Sequence, residues 1–152
     1  MIEPVTRTLR CSREQAFDIA ADIERYPEFL RWWISARVTK RDPSVCFVEQ
    51  EVGFGQLRWR FTSTAVLQRP AHIIVTSTDA PFRCLKLCWT CTAVSPRGCQ
   101  IRVAATVELR SGFLQLAINP FLAASLEDIV AAFEARAHAL YPPQDTSEMR
   151  SQ

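Results

Sequence analysis

From residue 34 to residue 110 apolar side chains recur at every second position, and turn residues cut the run into six pieces. The breaks are Asp42-Pro43-Ser44, Gly53 with Gly55, Arg69-Pro70, Ala80-Pro81 and Ser95-Pro96-Arg97-Gly98. This pattern predicts strands near 34–41, 45–53, 56–67, 71–79, 84–94 and 99–109. Strands joined by such short loops run antiparallel. Leu57, Trp59 and Phe61 alternate with Arg58, Arg60 and Thr62. Leu85, Leu87, Trp89 and Cys91 alternate with Lys86, Cys88 and Thr90, and Ile101, Val103, Ala105, Val107 and Leu109 with Arg102, Thr106 and Glu108. One sheet face is therefore apolar and aromatic, and the other is polar and basic.

An apolar sheet face must be covered, and the helical patterns decide by what. A weak alternation over 4–11 predicts a first strand. Ser12-Arg13-Glu14-Gln15 reads as a capping box, opening a helix that carries Ala16, Phe17, Ile19, Ala20 and Ile23 on one face. Tyr26-Pro27 is expected to end it, and Pro27 to open a second short helix over 27–33. The longest pattern comes last. Asn119-Pro120 reads as an N-cap with proline at the first helical position, and Leu122, Leu126, Ile129, Val130, Phe133, Ala137 and Leu140 share a face. Residues 112–118 read as a kinked leading turn of the same helix, and Pro142-Pro143 stops it. The expectation is an α+β fold with about seven antiparallel strands curved around that helix. It forms one domain, residues 1–141, with a disordered tail at 142–152. A sheet closed over a helix often leaves an apolar cleft of about 300–1,000 Å³.

Several functions are disfavoured by what the chain contains. A net charge of +2 is too small to imply nucleic acid, and DNA is not an expected partner. Four glycines make a phosphate-cradling loop implausible. Neither G-x-S-x-G nor H-E-x-x-H occurs. The start, Met1-Ile2-Glu3-Pro4, does not resemble a signal peptide, and no stretch reads as a run of about 18 apolar residues. The six cysteines are then expected as reduced thiols. Cys88 and Cys91 form a C-x-x-C, but on a strand they face opposite sides, which argues against a zinc or dithiol site.

Three stretches resemble one family. Residues 16–30 (AFDIAADIERYPEFL) resemble the "D-(V/I)-x-x-Y-P-x-F-L-P" signature of coenzyme Q-binding proteins. Residues 79–85 followed by Trp89 resemble "D-G-P-F-K-x-L-x-x-x-W", and residues 131–141 resemble "x-A-F-x-x-R-A-x-x-x-Y". The resemblance as a whole covers roughly residues 3–141. The family lies in the START-like, polyketide-cyclase-like superfamily, and its bacterial members are often described as RatA-type ribosome association toxins. The resemblance implies a helix-grip fold with a hydrophobic tunnel for ubiquinone or a similar prenyl lipid, in support of respiratory electron transport. A competing implication is binding of the large ribosomal subunit to block subunit association. A third is a polyketide cyclase-like enzyme. Arg31 stands where the family has proline, Ala80 where it has glycine, and Asn119-Pro120 interrupts the last helix.

On this reading Leu57, Trp59, Phe61, Leu87, Trp89, Val103 and Val107 are the candidate sheet wall of a tunnel, against plain core packing. Phe121, Leu122, Ser125, Leu126 and Ile129 are the candidate helix wall. Tyr26, Phe29, Leu30, Trp32 and Trp33 form a candidate lid or mouth. Residues 113–118 with Phe121 and Leu122, rimmed by Arg31, Arg37, Lys40 and Arg110, suggest peripheral contact with a membrane, against a buried helix start. Glu49 and Glu51 share a strand face. An inward setting makes them general bases or anchors for a quinone head, and an edge setting, which is preferred, leaves them solvated. Arg37, Lys40, Arg58, Arg60 and Arg102 form an outer basic face, the only sequence support for a ribosome surface. No catalytic residue, metal or cofactor is assigned beyond the lipid itself. The expected location is cytoplasmic, at most peripheral on the inner membrane.

Overall fold

The computed structural model describes residues 2–142. Its elements are β1 (Ile2–Leu9), α1 (Arg13–Ala21), a 3-10 turn (Ile23–Glu28), β2 (Trp33–Arg41), β3 (Val45–Phe54), β4 (Leu57–Gln68), β5 (His72–Ser77), β6 (Phe82–Ser95), β7 (Gly98–Leu109) and α2 (Gly112–Leu140). The strands make one seven-stranded antiparallel sheet in the order β1-β7-β6-β5-β4-β3-β2. All six strands expected between residues 34 and 110 are present, with ends shifted by at most a few residues. The tail expected beyond Pro142 lies outside the described residues.

Local chemistry explains the joints. Gln15 N–H donates to Ser12 Oγ at 3.1 Å and Ser12 N–H to Gln15 Oε1 at 2.9 Å, so the capping box forms as expected. Gly55, at φ +64°, opens the two-residue turn between β3 and β4, a conformation that favours glycine. Asp79 Oδ2 accepts the Thr62 N–H at 2.8 Å, which ties the β5–β6 turn to β4.

Three expectations change. The helix expected over 27–33 is replaced by the 3-10 turn, which ends at Glu28 where the Phe29 N–H bonds back three residues to the Tyr26 carbonyl at 3.1 Å, with Tyr26 and Leu30 both buried. Asn119 does not cap α2. Ser111 does, accepting the Leu114 N–H at 3.2 Å, and Pro120 sits inside the helix, where it removes one backbone hydrogen bond. The 29-residue α2 is also long and apolar enough to cross a membrane by length and composition. Here, however, Ile118, Leu126, Val130, Phe133 and Ala137 are buried within the fold.

The core has two parts. The larger joins α1, the 3-10 turn and the second half of α2 to the middle of the sheet. The smaller gathers Phe61, Phe82, Leu109 and Ile118 at the end where α2 begins.

Candidate functional site

Between these two parts lies a partly open cavity of about 160 Å³. Its sheet wall includes Val52, Trp59, Phe61, Phe82, Leu87 and Val107, and its helix wall is Ile118, Leu122, Ser125, Leu126 and Ile129. Residues four, seven, eight and eleven positions beyond Ile118 share one helix face, which is why this stripe looks inward. Small side chains open the space: Ala105 and Gly53 on the sheet and Ser125 on the helix all border it. The wall is stiffened by edge-to-face aromatic contacts, Phe61 to Phe82 at 4.9 Å and Trp59 to Phe82 at 5.9 Å between ring centres.

None of the residues bordering the cavity is charged, and its surface is almost wholly apolar. The polar side chains on it are few. The Tyr26 hydroxyl is taken up by the Ala20 carbonyl, and burial raises the phenol's pKa. Gln50 is 3% exposed. Its Oε1 accepts from Trp33 Nε1 at 2.6 Å and its Nε2 donates to Ser63 Oγ at 2.5 Å. Such a space accepts an uncharged, mostly apolar molecule. No Asp, Glu, His, Lys or Arg side chain borders it to act as an acid–base pair.

The expected wall is therefore partly in place. Trp59, Phe61, Leu87, Val107, Leu122, Ser125, Leu126 and Ile129 border the cavity, as do Tyr26, Trp32 and Trp33 of the lid. Trp89 does not. It is packed against Phe133 in the filled half of the core, and its indole N–H has no hydrogen-bond partner among the described residues. Val103, opposite Trp89 on β7, is buried there too. Leu57 flanks the β3–β4 turn at the sheet's end and is 39% exposed. Phe121 lies about 100° around the helix from Leu122 and is 54% exposed. Phe29 and Leu30 plug the core instead of the mouth: Leu30 is buried, and Phe29 sits between Tyr26 and Phe133.

Glu49 and Glu51 face outward and pair with Arg37 at 2.8 Å and Arg60 at 3.3 Å. Neither is a buried base. The rest of the expected basic rim is also engaged in part: Arg31 meets Asp128 at 3.6 Å and lies over Trp32, while Arg110 donates to the Phe82 and Thr78 carbonyls. On the helix start Ile118 is buried, but Phe113 is 81% and Leu116 75% exposed.

Gln50, Val52, Phe82, Leu85 and Ala105 border the cavity outside the expected walls and mouth, and Ile118, expected on a membrane-facing stretch, borders it instead. A signal for Gln50 was present. Val48, Gln50 and Val52 alternate with Phe47, Glu49 and Glu51, so the glutamine is the polar member of an apolar face.

Residues 9–134 match the sequence profile of the polyketide cyclase / dehydrase and lipid transport family. Among similar proteins, the ribosome association toxin RatA of Pseudomonas aeruginosa is 31% identical over 125 residues, which cover 82% of this chain and 87% of the relative. The mitochondrial coenzyme Q-binding protein COQ10 of Dictyostelium discoideum is 26% identical over 141 residues, 90% of this chain and 69% of the relative. Among solved structures, a START superfamily protein from Mycobacterium smegmatis superposes with a TM-score of 0.80 at 17% identity, covering 91% of this chain and 97% of that one.

Proposed function

Since the chain belongs to the polyketide cyclase / dehydrase and lipid transport family, we propose that it is a non-enzymatic carrier of an uncharged prenyl lipid of the ubiquinone kind. Its sheet and closing helix form the START-like helix-grip fold. The observation that carries the reading is the cavity itself, almost wholly apolar and free of charged side chains. Lining of that kind rewards apolar area at about 25 cal/mol per Å² and gives no group for acid–base chemistry. At about 160 Å³ the cavity is smaller than the roughly 300 Å³ of an ordinary ligand pocket. A long prenyl tail must therefore leave through the mouth or displace the first half of α2. That half-helix exposes Phe113 and Leu116. In this reading it rests on a membrane surface while cargo is exchanged, and the protein works in the cytoplasm and at the inner membrane in support of respiratory electron transport.

The direct test is to extract lipid from purified protein and identify it by mass spectrometry. A prenyl-quinone at near-stoichiometric amount is expected. Finding none, together with no uptake of added quinone, removes the reading.

A second reading rests on a specific observation, the 31% identity to a ribosome association toxin. Its surface would be the outer sheet face, which exposes Arg58 near the paired Arg37 and Arg60, and Arg102 three strands away on β7. Co-sedimentation with ribosomal subunits, lost on reversing Arg58 and Arg102 to glutamate, is the outcome that would favour it. Sedimentation apart from ribosomes at all salt concentrations would remove it.

A further inference from the structure

The cavity holds one buried polar side chain whose hydrogen-bonding capacity is only partly used. Gln50 lies on β3, on the same face as Val52, and is 3% exposed. Its amide orientation follows from its neighbours. The indole N–H of Trp33 can only donate, so the oxygen of the amide faces Trp33, at 2.6 Å. The nitrogen then faces Ser63, whose hydroxyl oxygen accepts one N–H at 2.5 Å. An amide nitrogen carries two hydrogens. The second has no acceptor among the described residues, and Gln50 borders the cavity. Across the space, the Ser125 hydroxyl makes no hydrogen bond among the described residues and borders the cavity as well.

We propose that Gln50 is the head-group anchor of this site: its free N–H donates to one neutral oxygen, a quinone or other carbonyl oxygen, at the buried end of an otherwise apolar ligand. This rests on the lipid-carrier reading and narrows it. A carboxylate or phosphate head is excluded from the buried end, because no cationic side chain borders the cavity to offset its desolvation. A pure hydrocarbon fills the space but leaves the donor unused. Trp33 is held by the same amide and stands edge-to-face on Tyr26 at 5.7 Å between ring centres. The anchor and the Tyr26–Trp33 wall are therefore one connected unit.

The test is displacement of the neutral fluorophore N-phenyl-1-naphthylamine by three probes: decylubiquinone, dodecylbenzene and ionised dodecanoate. Wild-type protein is expected to favour the quinone over dodecylbenzene and to reject dodecanoate. Gln50→Met keeps the side-chain volume and removes the donor. Its affinity for the quinone should fall about 2- to 10-fold more than its affinity for dodecylbenzene, the worth of one net hydrogen bond. Ser63→Ala also frees the N–H that Ser63 now accepts, leaving both amide hydrogens for the ligand, so quinone affinity should rise relative to dodecylbenzene. Equal losses for both probes in Gln50→Met, or no loss for the quinone, overturn the anchor while leaving the cavity reading intact. If circular dichroism shows Gln50→Met unfolded, Ser63→Ala decides alone, and no relative gain overturns the anchor. If wild-type protein binds the fluorophore but neither neutral probe displaces it, the lipid-carrier reading falls and the anchor with it.

Discussion

Phe133 packs its ring against Trp89 with centroids 4.8 Å apart and planes tilted by 40°, both side chains fully buried. Phe133 also meets Phe29 at 6.5 Å. Each of the three stretches that resemble the coenzyme Q-binding family thus sends an aromatic side chain into the filled half of the core, while Tyr26, Phe82 and Leu85 of the first two also border the cavity. Phe133→Ala should cost about 3–5 kcal/mol, because it leaves a void between helix and sheet. Trp89→Phe should cost less, since it removes volume but also an indole N–H that has no partner. Urea unfolding measures both. Equal losses would show that Trp89 is not held as described.

Filling the cavity separates its role from that of the core. Ser125 borders the empty space from the helix side. Ser125→Phe places a ring there, so the melting temperature should stay level or rise while binding of any cavity ligand weakens at least about tenfold, the loss of about 1.4 kcal/mol or more. Unchanged ligand binding in a folded Ser125→Phe protein would locate the ligand elsewhere.

The exposed start of α2 makes a separable prediction. Phe113→Ser with Leu116→Ser removes two exposed apolar side chains and should change stability by no more than about 0.5 kcal/mol each. Flotation with phospholipid vesicles should be lost while displacement of a cavity-bound fluorophore is retained. Retained flotation would remove the membrane contact from this face.

Buried acids make the fold sensitive to alkali. Burial, and then the neighbouring Cys11, pushes the Cys91 thiol up to about 11, and burial raises the Tyr26 phenol as well. A free thiol ionises near about 8.5, so as pH rises the unfolded chain sheds the Cys91 proton first. Stability is then complete below about pH 8.5 and declines between about pH 8.5 and 11. Urea midpoints taken across this range should fall, and Cys91→Ala should flatten the decline. A midpoint that holds steady to pH 11 would contradict this placement of Cys91.

Much of the architecture is legible in the sequence because period-two alternation survives every turn from Trp33 to Leu109. What alternation cannot report is which part of an inward face is filled. Trp89 and Phe61 look alike along their strands, yet one meets Phe133 and the other borders a cavity. The difference comes from the opposing helix, which presents phenylalanine at one end and Ser125 nearer the other. Leu57 keeps the right parity but flanks a turn, and Phe121 is one position off the inward stripe, so each is exposed. Pro120 misplaced the helix start because proline suits a first helical turn, whereas the Ser111 hydroxyl caps α2 nine residues earlier. Gln50 carries no charge and lies between Glu49 and Glu51, so charge patterning along the strand points to the outward face and not to the glutamine.

The central claim is that an uncharged prenyl lipid occupies the space between α2 and the β3–β4–β6–β7 wall. Photolabelling with a diazirine-bearing prenyl-quinone, followed by peptide mapping, tests it most directly. Adducts are expected on Trp59, Phe61, Phe82, Ile118 and Leu122, and excess unlabelled quinone should suppress them. Adducts confined to the outer sheet face, or labelling that unlabelled quinone does not reduce, would contradict it.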